Sequence, residues 1–299
     1  TPSTRRASKM TAGLPIQEIL TGLSIGSRLF LVALGLSLIF GVLGVLNFAH
    51  GAFYMVGAYA TASIVGAAGG NFWVAAVGAA LTVGLLGAVV EFGLIRRIYD
   101  RNELDQLILT FALVLIISDL TRTIWGSGTQ TVETPAAFAG NVPVLGVSFP
   151  AYRLFVIVVA FLAMGVFWYV LTRTYVGQLV RATSSDRDMA ALLGVDVPRL
   201  YTGVFAVGSV LAGLGGALTT PIQSFTPALG DQVIINAFVV VVIGGLGSFT
   251  GAFVGAMLIG LFQSFGVLVA TGVNQLLPFL AMILVLIFRP EGLFGGEEL

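Results

Sequence analysis

Residues 44–51, GVLNFAHG, interrupt two long apolar runs near the start of the chain. They contain the only histidine of the 299 residues, with an asparagine and a glycine at each end. A soluble core seldom needs such a break, whereas a membrane protein that binds a polar group at mid-depth does. Peptide groups freed at a break are tolerated in a bilayer only where protein or a water-filled cavity receives them. The stretch therefore predicts a broken membrane helix.

The composition of the whole chain supports this interpretation. Hydrophobic residues make up 57% of the sequence and charged residues 9%, and the mean hydropathy is +1.02. Continuous apolar runs near the ~20-residue spanning length favour helices over a β-barrel. We expect an all-α, polytopic transmembrane bundle with about eight or nine hydrophobic segments. These fall at residues 28–46, 51–68, 72–95, 104–124, 152–172, 200–221, 233–270 and 273–288.

A second break is predicted inside segment 233–270, which is long enough for two passes. It is the stretch GGLGSFTG at residues 244–251. Residues 42–53, VLGVLNFAHGAF, also align without a gap with residues 242–253, VIGGLGSFTGAF, which suggests an internal pseudo-repeat. Paired, glycine-interrupted membrane segments are a recurring signature of a transport site near the bilayer midplane. We therefore expect broken helices near 46–51 and 246–251.

The two breaks supply the candidate translocation path. Glycine permits the backbone conformations that a break needs, and Asn47 and His50 add hydrogen-bonding side chains. Under the alternative, Asn47 and His50 bond neighbouring backbone at a kink and never touch a solute. A single histidine without cysteine provides too few ligands for a metal site. The candidate path residues are Asn47, Phe48, Ala49, His50, Gly51, Gly245, Gly247, Ser248 and Gly251.

Arginine placement predicts the orientation. Arg96, Arg97 and Arg101 share one short loop, and further arginines lie in or beside residues 173–199, whereas residues 125–150 carry only Glu133. The positive-inside rule makes the two arginine-rich loops cytoplasmic and residues 125–150 external.

The N-terminal part is expected to form a separate element. Residues 1–27 are interpreted as an extension with a short amphipathic helix in the interface, because Ile16, Ile19, Leu20 and Leu23 follow helical spacing. Residues 28–299 then form the membrane domain. Within it, Arg28 costs about 2.5–3.5 kcal/mol at the centre of a span but is tolerated near an edge, where its side chain reaches polar surroundings.

Residues 173–199 form a polar loop with a short helix. Ser184, Ser185 and Asp186 provide helix-start residues, and Gly194 is a stop signal. Such a helix either caps the bundle or docks another protein.

Four blocks, in order, resemble the permease subunits of branched-chain amino acid type ABC importers. They are GVLNFAHGAFYMVGAY at 44–59, VRATSSDRDMAALLGVDVPRLYTGVFAVGSVLAGLGGAL at 180–218, VVIGGLGSFTGAFVGAMLIG at 241–260 and FRPEGLFG at 288–295. The resemblance implies a second, homologous permease subunit, two cytoplasmic ATPase subunits that bind ATP and Mg, and an extracytoplasmic solute-binding protein. It also implies a multi-pass protein of the bacterial inner membrane, in contact with lipid.

The resemblance further implies an ATPase-coupling segment in the cytoplasmic loop 173–199. Its candidate residues are Arg181, Asp186, Arg187, Asp188, Leu192 and Gly194. The solute implied is a branched-chain amino acid or a related small polar molecule such as urea or an amide.

Other functional classes fit the residues less well. Nucleotide binding by a P-loop needs a lysine in GxxxxGK[ST], and the only lysine, Lys9, lies outside such a motif. We therefore expect no enzymatic activity and no cofactor on this chain. A net charge of zero gives no attraction for nucleic acid. An ion-coupled secondary transporter is the alternative, but its candidate carboxylates, Glu91, Asp119 and Asp231, lie near predicted segment ends.

Overall fold

The structure, a computed structural model, describes residues 2–269 and 276–295. Eleven α-helices and one two-stranded antiparallel hairpin lie in this part of the chain, and two short 3-10 helices cover Ile95–Ile98 and Ala136–Phe138. The elements are α1 (Pro2–Leu43), α2 (Ala49–Ala67), α3 (Phe72–Gly93), α4 (Glu103–Trp125), β1 (Asn141–Val144), β2 (Val147–Pro150), α5 (Ala151–Arg173), α6 (Tyr175–Ser185), α7 (Arg187–Leu192), α8 (Val197–Thr219), α9 (Leu229–Gly244), α10 (Phe249–Val269) and α11 (Leu277–Phe288).

The predicted all-α membrane bundle is confirmed, with a small change in the segment count. Six helices of the described chain are long and apolar enough to cross a bilayer, and α9 and α11 are shorter apolar helices. Helix α2 has 19 residues but is not among the six. Its histidine, its single threonine and serine, its two tyrosines and its three glycines lower its mean hydropathy. The protein is a multi-pass membrane protein.

Helix α1 lies at the centre of the bundle and corrects the expectation of a separate interfacial helix. The segment from Leu14 to Leu43 is one candidate span, so residues 16–23 continue into it. Gly22 and Gly26 pack closely on α10, where an added Cβ would lie 2.8 Å from the Leu261 Cα and 2.7 Å from the Ala256 oxygen. This stretch therefore belongs to a spanning helix that packs on α10 through Gly22 and Gly26, whereas Ile19 of the apolar pattern is 43% exposed.

Helix α8 is the second central element and crosses α1, α2 and α3 at small residues. An added Cβ at Gly208 would lie 3.0 Å from the Gly35 oxygen, and one at Gly213 would lie 3.2 Å from the Cα of Ala80. Gly57 of α2 faces Gly213 at backbone distance. Close backbone approach at small residues is typical of membrane helix packing.

The two ends of the bundle have different compositions. At one end, the β1–β2 hairpin follows α4, and Gln130 forms an isolated bridge with Phe225. At the other end the two arginine-rich loops meet, where Arg96 donates to the Pro198 oxygen over 3.0 Å and Arg187 pairs with Asp100. Both loops therefore lie on the same side, as the positive-inside rule requires. We refer to these as the hairpin end and the arginine end.

Candidate functional site

The first break covers residues 44–48, slightly before the predicted 46–51. Helix α1 ends at Leu43, Gly44 has a φ of 68°, and α2 begins at Ala49. The Thr110 hydroxyl of α4 donates to the freed Leu46 carbonyl over 3.3 Å. One side chain of α4 thus receives a carbonyl that the break exposes, as a lipid environment requires.

His50 lies in the first turn of α2 and is fully buried. Its Nε2 lies 3.1 Å from the Val32 oxygen of α1, and since a carbonyl only accepts, Nε2 carries the hydrogen. Its Nδ1 has no partner. Gly51, the next residue, packs on Gly230 and Ile234 of α9, where a Cβ would overlap. Glycine at position 51 therefore allows close helix packing and does not form part of the backbone break that was expected there from the sequence.

Asn47 differs from His50 because neither side-chain amide atom has a partner. The residue is fully buried, and both Nδ2 and Oδ1 lack hydrogen bonds. Its neighbour Phe48 stacks on Phe238 of α9 with ring centroids 4.6 Å apart. The alternative had both side chains bonding backbone at the kink, but the Nε2 of His50 bonds the backbone of another helix, α1, 18 residues earlier. Asn47 and the Nδ1 of His50 have unused hydrogen-bonding capacity in the bundle interior.

The second break covers residues 245–248 and matches the predicted position. Gly245 and Gly247 have φ values of 107° and 85°, which favour glycine, and α10 begins at Phe249. The Ser248 hydroxyl accepts from the Gly251 amide over 3.1 Å and so caps α10. At the offset of 200, α2 and α10 begin at aligned positions, and α1 and α9 end within one residue of each other. The two aligned stretches of the predicted pseudo-repeat therefore form two similar backbone breaks.

The C-terminal segment after α11 packs against the second break. The Leu293 and Phe294 amides donate to the Ile243 and Gly244 carbonyls over 2.8 and 3.0 Å. These are terminal carbonyls of α9, which have no partner within their own helix. The motif FRPEGLFG therefore completes the hydrogen bonding of α9. On its other side, the break approaches the last turn of α1, where a Cβ on Gly247 would lie 3.1 Å from the Gly41 Cα.

Helix α9 carries an exposed polar face that was missed from the sequence. Asp231 and Gln232 are exposed, and the Asn236 amide donates to the Gln232 carbonyl over 3.0 Å. Ile235 on the same face is half exposed. The spacing i, i+1, i+4, i+5 within an apolar segment was the available signal. An exposed polar face on an apolar membrane helix marks a solute path or a subunit contact.

The predicted short helix in loop 173–199 is α7, which begins at Arg187 after the cap residue Asp186. Ser184 and Ser185, expected at its start, lie instead at the end of α6. The Asp186 carboxylate accepts from the Met189 amide over 2.9 Å, and Gly194, with a φ of 92°, follows the helix end. Leu192 and Leu193 are 81% and 79% exposed. Helix α7 therefore presents an apolar surface to the solvent at the arginine end. Met189 and Leu193 belong to this surface and were not among the predicted residues.

The remaining predicted coupling residues have different surroundings. Arg187 pairs with the exposed Asp100 over 3.0 Å and lies over the Tyr201 ring at 5.7 Å. Asp188 is exposed. Arg181 has a buried NH1 without a partner. The structure thus links Arg187 to α8 and to the loop between α3 and α4.

A buried polar cluster continues inward from Arg187. Tyr201 contacts Tyr99 edge to face at 5.2 Å, and the Tyr99 hydroxyl donates to Glu91 over 2.8 Å. Glu91 is fully buried and also accepts from the Thr202 hydroxyl over 2.6 Å and from the Arg96 Nε over 3.4 Å. Burial, with the hydrogen bond to Glu91, raises the pKa of Tyr99, so its hydroxyl stays a donor at neutral pH.

This cluster weakens the ion-coupled alternative. Glu91 is held by three protein partners, whereas Asp119 and Asp231 are exposed on the surface of the subunit. A coupling-ion site needs carboxylates that converge within the membrane. The three carboxylates lie on the separate helices α3, α4 and α9. In the described part of the chain, no three His, Cys, Asp or Glu side chains are grouped so that they could hold a metal ion.

The bundle, its two helix breaks and the exposed α7 fit a polytopic transport permease. Residues 18–286 match the family described as branched-chain amino acid transport system / permease component. The chain belongs to this family. Its membership makes it the permease subunit of an ABC importer, in which it works with other transporter components. It is not an enzyme, and the ion-coupled alternative is not favoured.

Full-length relatives have similar descriptions. The chain is 29% identical over 296 residues to BraD of Pseudomonas aeruginosa, a high-affinity branched-chain amino acid transport system permease protein, covering 95% of this chain and 96% of the relative. It is 28% identical over 298 residues to LivH of Escherichia coli, with coverage of 95% and 96%. A partial match, 29% identical over 131 residues and covering 42% of this chain and 39% of the relative, is to the ribose import permease RbsC of Haemophilus influenzae. No solved structure matched the chain.

Proposed function

We propose that this chain forms half of the translocation path of an importer for branched-chain amino acids or a related small polar solute. The observation that carries the proposal is the full-length match to permeases named for branched-chain amino acid transport. An interior with few charged side chains suits a small zwitterion or a neutral polar solute such as urea or an amide. The path runs where this subunit meets its permease partner, beside the breaks at 44–48 and 245–248.

The partners follow from the energy source. The only lysine of the chain lies outside a P-loop motif, so ATP and Mg bind to two cytoplasmic ATPase subunits. A second, homologous permease subunit completes the pore, and an extracytoplasmic binding protein delivers the solute. The arginine end then faces the cytoplasm of a bacterium, and the chain spans its inner membrane.

Helix α7 is the docking element for an ATPase subunit. Its exposed leucines offer apolar contact area, and Arg187 connects it to the rest of the bundle. A displacement of α7 acts on Tyr201, then on Tyr99 and on Glu91, which joins α3 to α8. Because α8 also packs on α1 beside His50, movement of α8 changes the helix crossing next to the first break. Alternating access follows from two arrangements of this crossing.

The test replaces Leu192 with aspartate in the assembled importer. Loss of one buried leucine contact, worth about 1.5–3 kcal/mol, weakens ATPase binding by roughly tenfold or more. The matched control is Leu145→Asp, since Leu145 is 80% exposed at the opposite, hairpin end. ATPase affinity is measured by titration of the labelled subunit onto the permease in nanodiscs. Equal affinity for the L192D and L145D variants would contradict docking at α7.

A further inference from the structure

One face of α1 carries polar atoms that lack protein partners. The Ser24 and Ser27 hydroxyls are buried, with residue exposures of 2% and 0%, and neither makes a hydrogen bond. The Arg28 Nε is also buried without an acceptor. Residues 24, 27 and 28 have the i, i+3, i+4 spacing of one helix face. Buried polar groups in native proteins are normally paired, so three unpaired groups on one face indicate a ligand or water.

The Arg28 side chain reaches from α1 to the segment between α8 and α9. Its NH1 donates to the Gln223 Oε1 over 3.1 Å, and Gln223 is exposed. Nearby, the Tyr54 hydroxyl donates to the Thr219 hydroxyl over 2.5 Å, at the last residue of α8. Arg28 therefore lies beside the end of α8, and its guanidinium is reached from the hairpin end through Gln223.

The positive charge of Arg28 is not balanced by a protein carboxylate. Three ion pairs occur in the described part of the chain, and Arg28 belongs to none of them. A bound anion supplies the counter-charge that the partly buried guanidinium of Arg28 lacks within the protein. Charged side chains retained in membrane segments commonly mark the route of a substrate.

We propose that Ser24, Ser27 and Arg28 form a subsite for the carboxylate of the transported solute. The free Nε–H of Arg28 and the two hydroxyls are donors, which suits a carboxylate and not an ammonium group. The subsite lies on the hairpin end, from which an importer takes its solute. The inference rests on the proposed function and narrows it: the solute carries a carboxylate, as an amino acid does and urea does not.

The absence of cysteine makes a direct test possible. Ser24→Cys places the only thiol of this chain four residues from Arg28. The variant is assembled with its permease partner and ATPase subunits, without the binding protein, and modification is followed on this chain alone. We expect a negatively charged sulfonatoethyl methanethiosulfonate to modify this thiol about tenfold faster than its trimethylammonium analogue. We expect Arg28→Gln to abolish this preference and millimolar leucine to slow the modification. Thr123→Cys, exposed on α4, is the control and shows neither effect.

Four results would overturn the subsite, three of which come from labelling without the binding protein. These three are no modification at residue 24 in both the nucleotide-free and the ATP-bound importer, equal rates for the two reagents, and no protection by leucine. Protection that appears only when the binding protein is added would also overturn it, because the anion would then come from that protein. These labelling rates do not depend on ATP-driven uptake, so they separate failure of the subsite from failure of the proposed function.

Uptake provides the second arm. In the complete importer, Arg28→Gln removes a charge-assisted hydrogen bond, so we expect the KM for leucine to rise about tenfold or more, with Arg28→Lys restoring part of it. Arg199→Gln, a change at an exposed side chain of the arginine end, is the control and leaves the KM unchanged. An unchanged KM in the R28Q variant contradicts the subsite, whereas no uptake of leucine, urea or an amide by the unaltered importer contradicts the proposed function.

Discussion

The Nε2 of His50 donates a hydrogen bond to the Val32 carbonyl across 3.1 Å and thereby joins the first turn of α2 to the middle of α1. One turn further along α1, an added Cβ on Gly35 would lie 2.6 Å from the Gly208 oxygen and 2.8 Å from the His50 Nε2. Three helices thus cross at one point beside the first break. The crossing depends on the hydrogen bond between His50 and Val32 and on the absence of side chains at Gly35 and Gly208.

This crossing predicts that Gly35→Ala destabilises the subunit. The added methyl group meets a carbonyl of α8 and the buried imidazole, neither of which is the end of a flexible side chain. Overpacking of this kind costs about 1–3 kcal/mol, and a loss of that size lowers the thermal midpoint by about 2–4 °C per kcal/mol. Thermal unfolding of the purified subunit in detergent measures the change.

Gly165→Ala is the matched control for this substitution. Gly165 lies inside α5 with no atom within 4 Å of an added Cβ, so alanine gains helix propensity of about 1 kcal/mol without a clash. The two variants should therefore move the midpoint in opposite directions. Equal midpoints would show that the α1–α8 crossing is not tightly packed.

The second break predicts a different effect at Ser248. Ser248→Ala removes the side chain that caps α10 and should cost about 0.5–2 kcal/mol of stability. Since the same residue lies at the hinge between α9 and α10, we also expect a lower uptake rate at saturating solute. Thr250→Ala, an exposed change two residues later, is the comparison. Identical stability of the two variants would remove the capping role.

The Glu91 cluster predicts coupling between distant residues. Glu91→Gln keeps the side-chain size but removes the charge that pairs with Arg96. We expect fewer solute molecules transported per ATP hydrolysed. We also expect the uptake rates of the Glu91→Gln, Arg187→Gln and double variants to be non-additive. Converted to activation free energies, the difference should be about 0.5–3 kcal/mol, as for residues of one network.

Arg199→Gln is the control for this cycle, because its ion pair with Asp196 is exposed and contributes little. The measurement compares initial uptake and ATP hydrolysis in the same liposomes. Strict additivity of the changes at Glu91 and Arg187 would mean that α7 does not act through Tyr201 and Tyr99.

The sequence predicts the breaks better than it predicts their surroundings. Gly245 and Gly247 adopt positive φ values that other residues rarely adopt. The second break can therefore be predicted from the residues at the break itself. Helix α7 is likewise delimited by its own cap and by Gly194. Such features depend on residues within a few positions of each other and can therefore be predicted from the sequence.

Features that depend on distant residues were not predicted. Glu91 and Thr202 are 111 positions apart, and no local pattern indicates that they share a hydrogen bond. The stretch around Gly22 was assigned to the membrane surface because helical spacing of apolar residues does not reveal whether lipid or α10 covers them. The role of Gly51 was misjudged for the same reason, since its contact, Gly230, lies on another helix.

The most direct measurement of the central claim is uptake of labelled leucine by liposomes that contain the permease with or without its ATPase partners. We predict accumulation above the external concentration only when the ATPase subunits, ATP and Mg are all present, together with the binding protein. The permease without the ATPase subunits should give none, with or without an imposed proton or sodium gradient. Accumulation driven by such a gradient in the absence of the ATPase subunits would contradict the account.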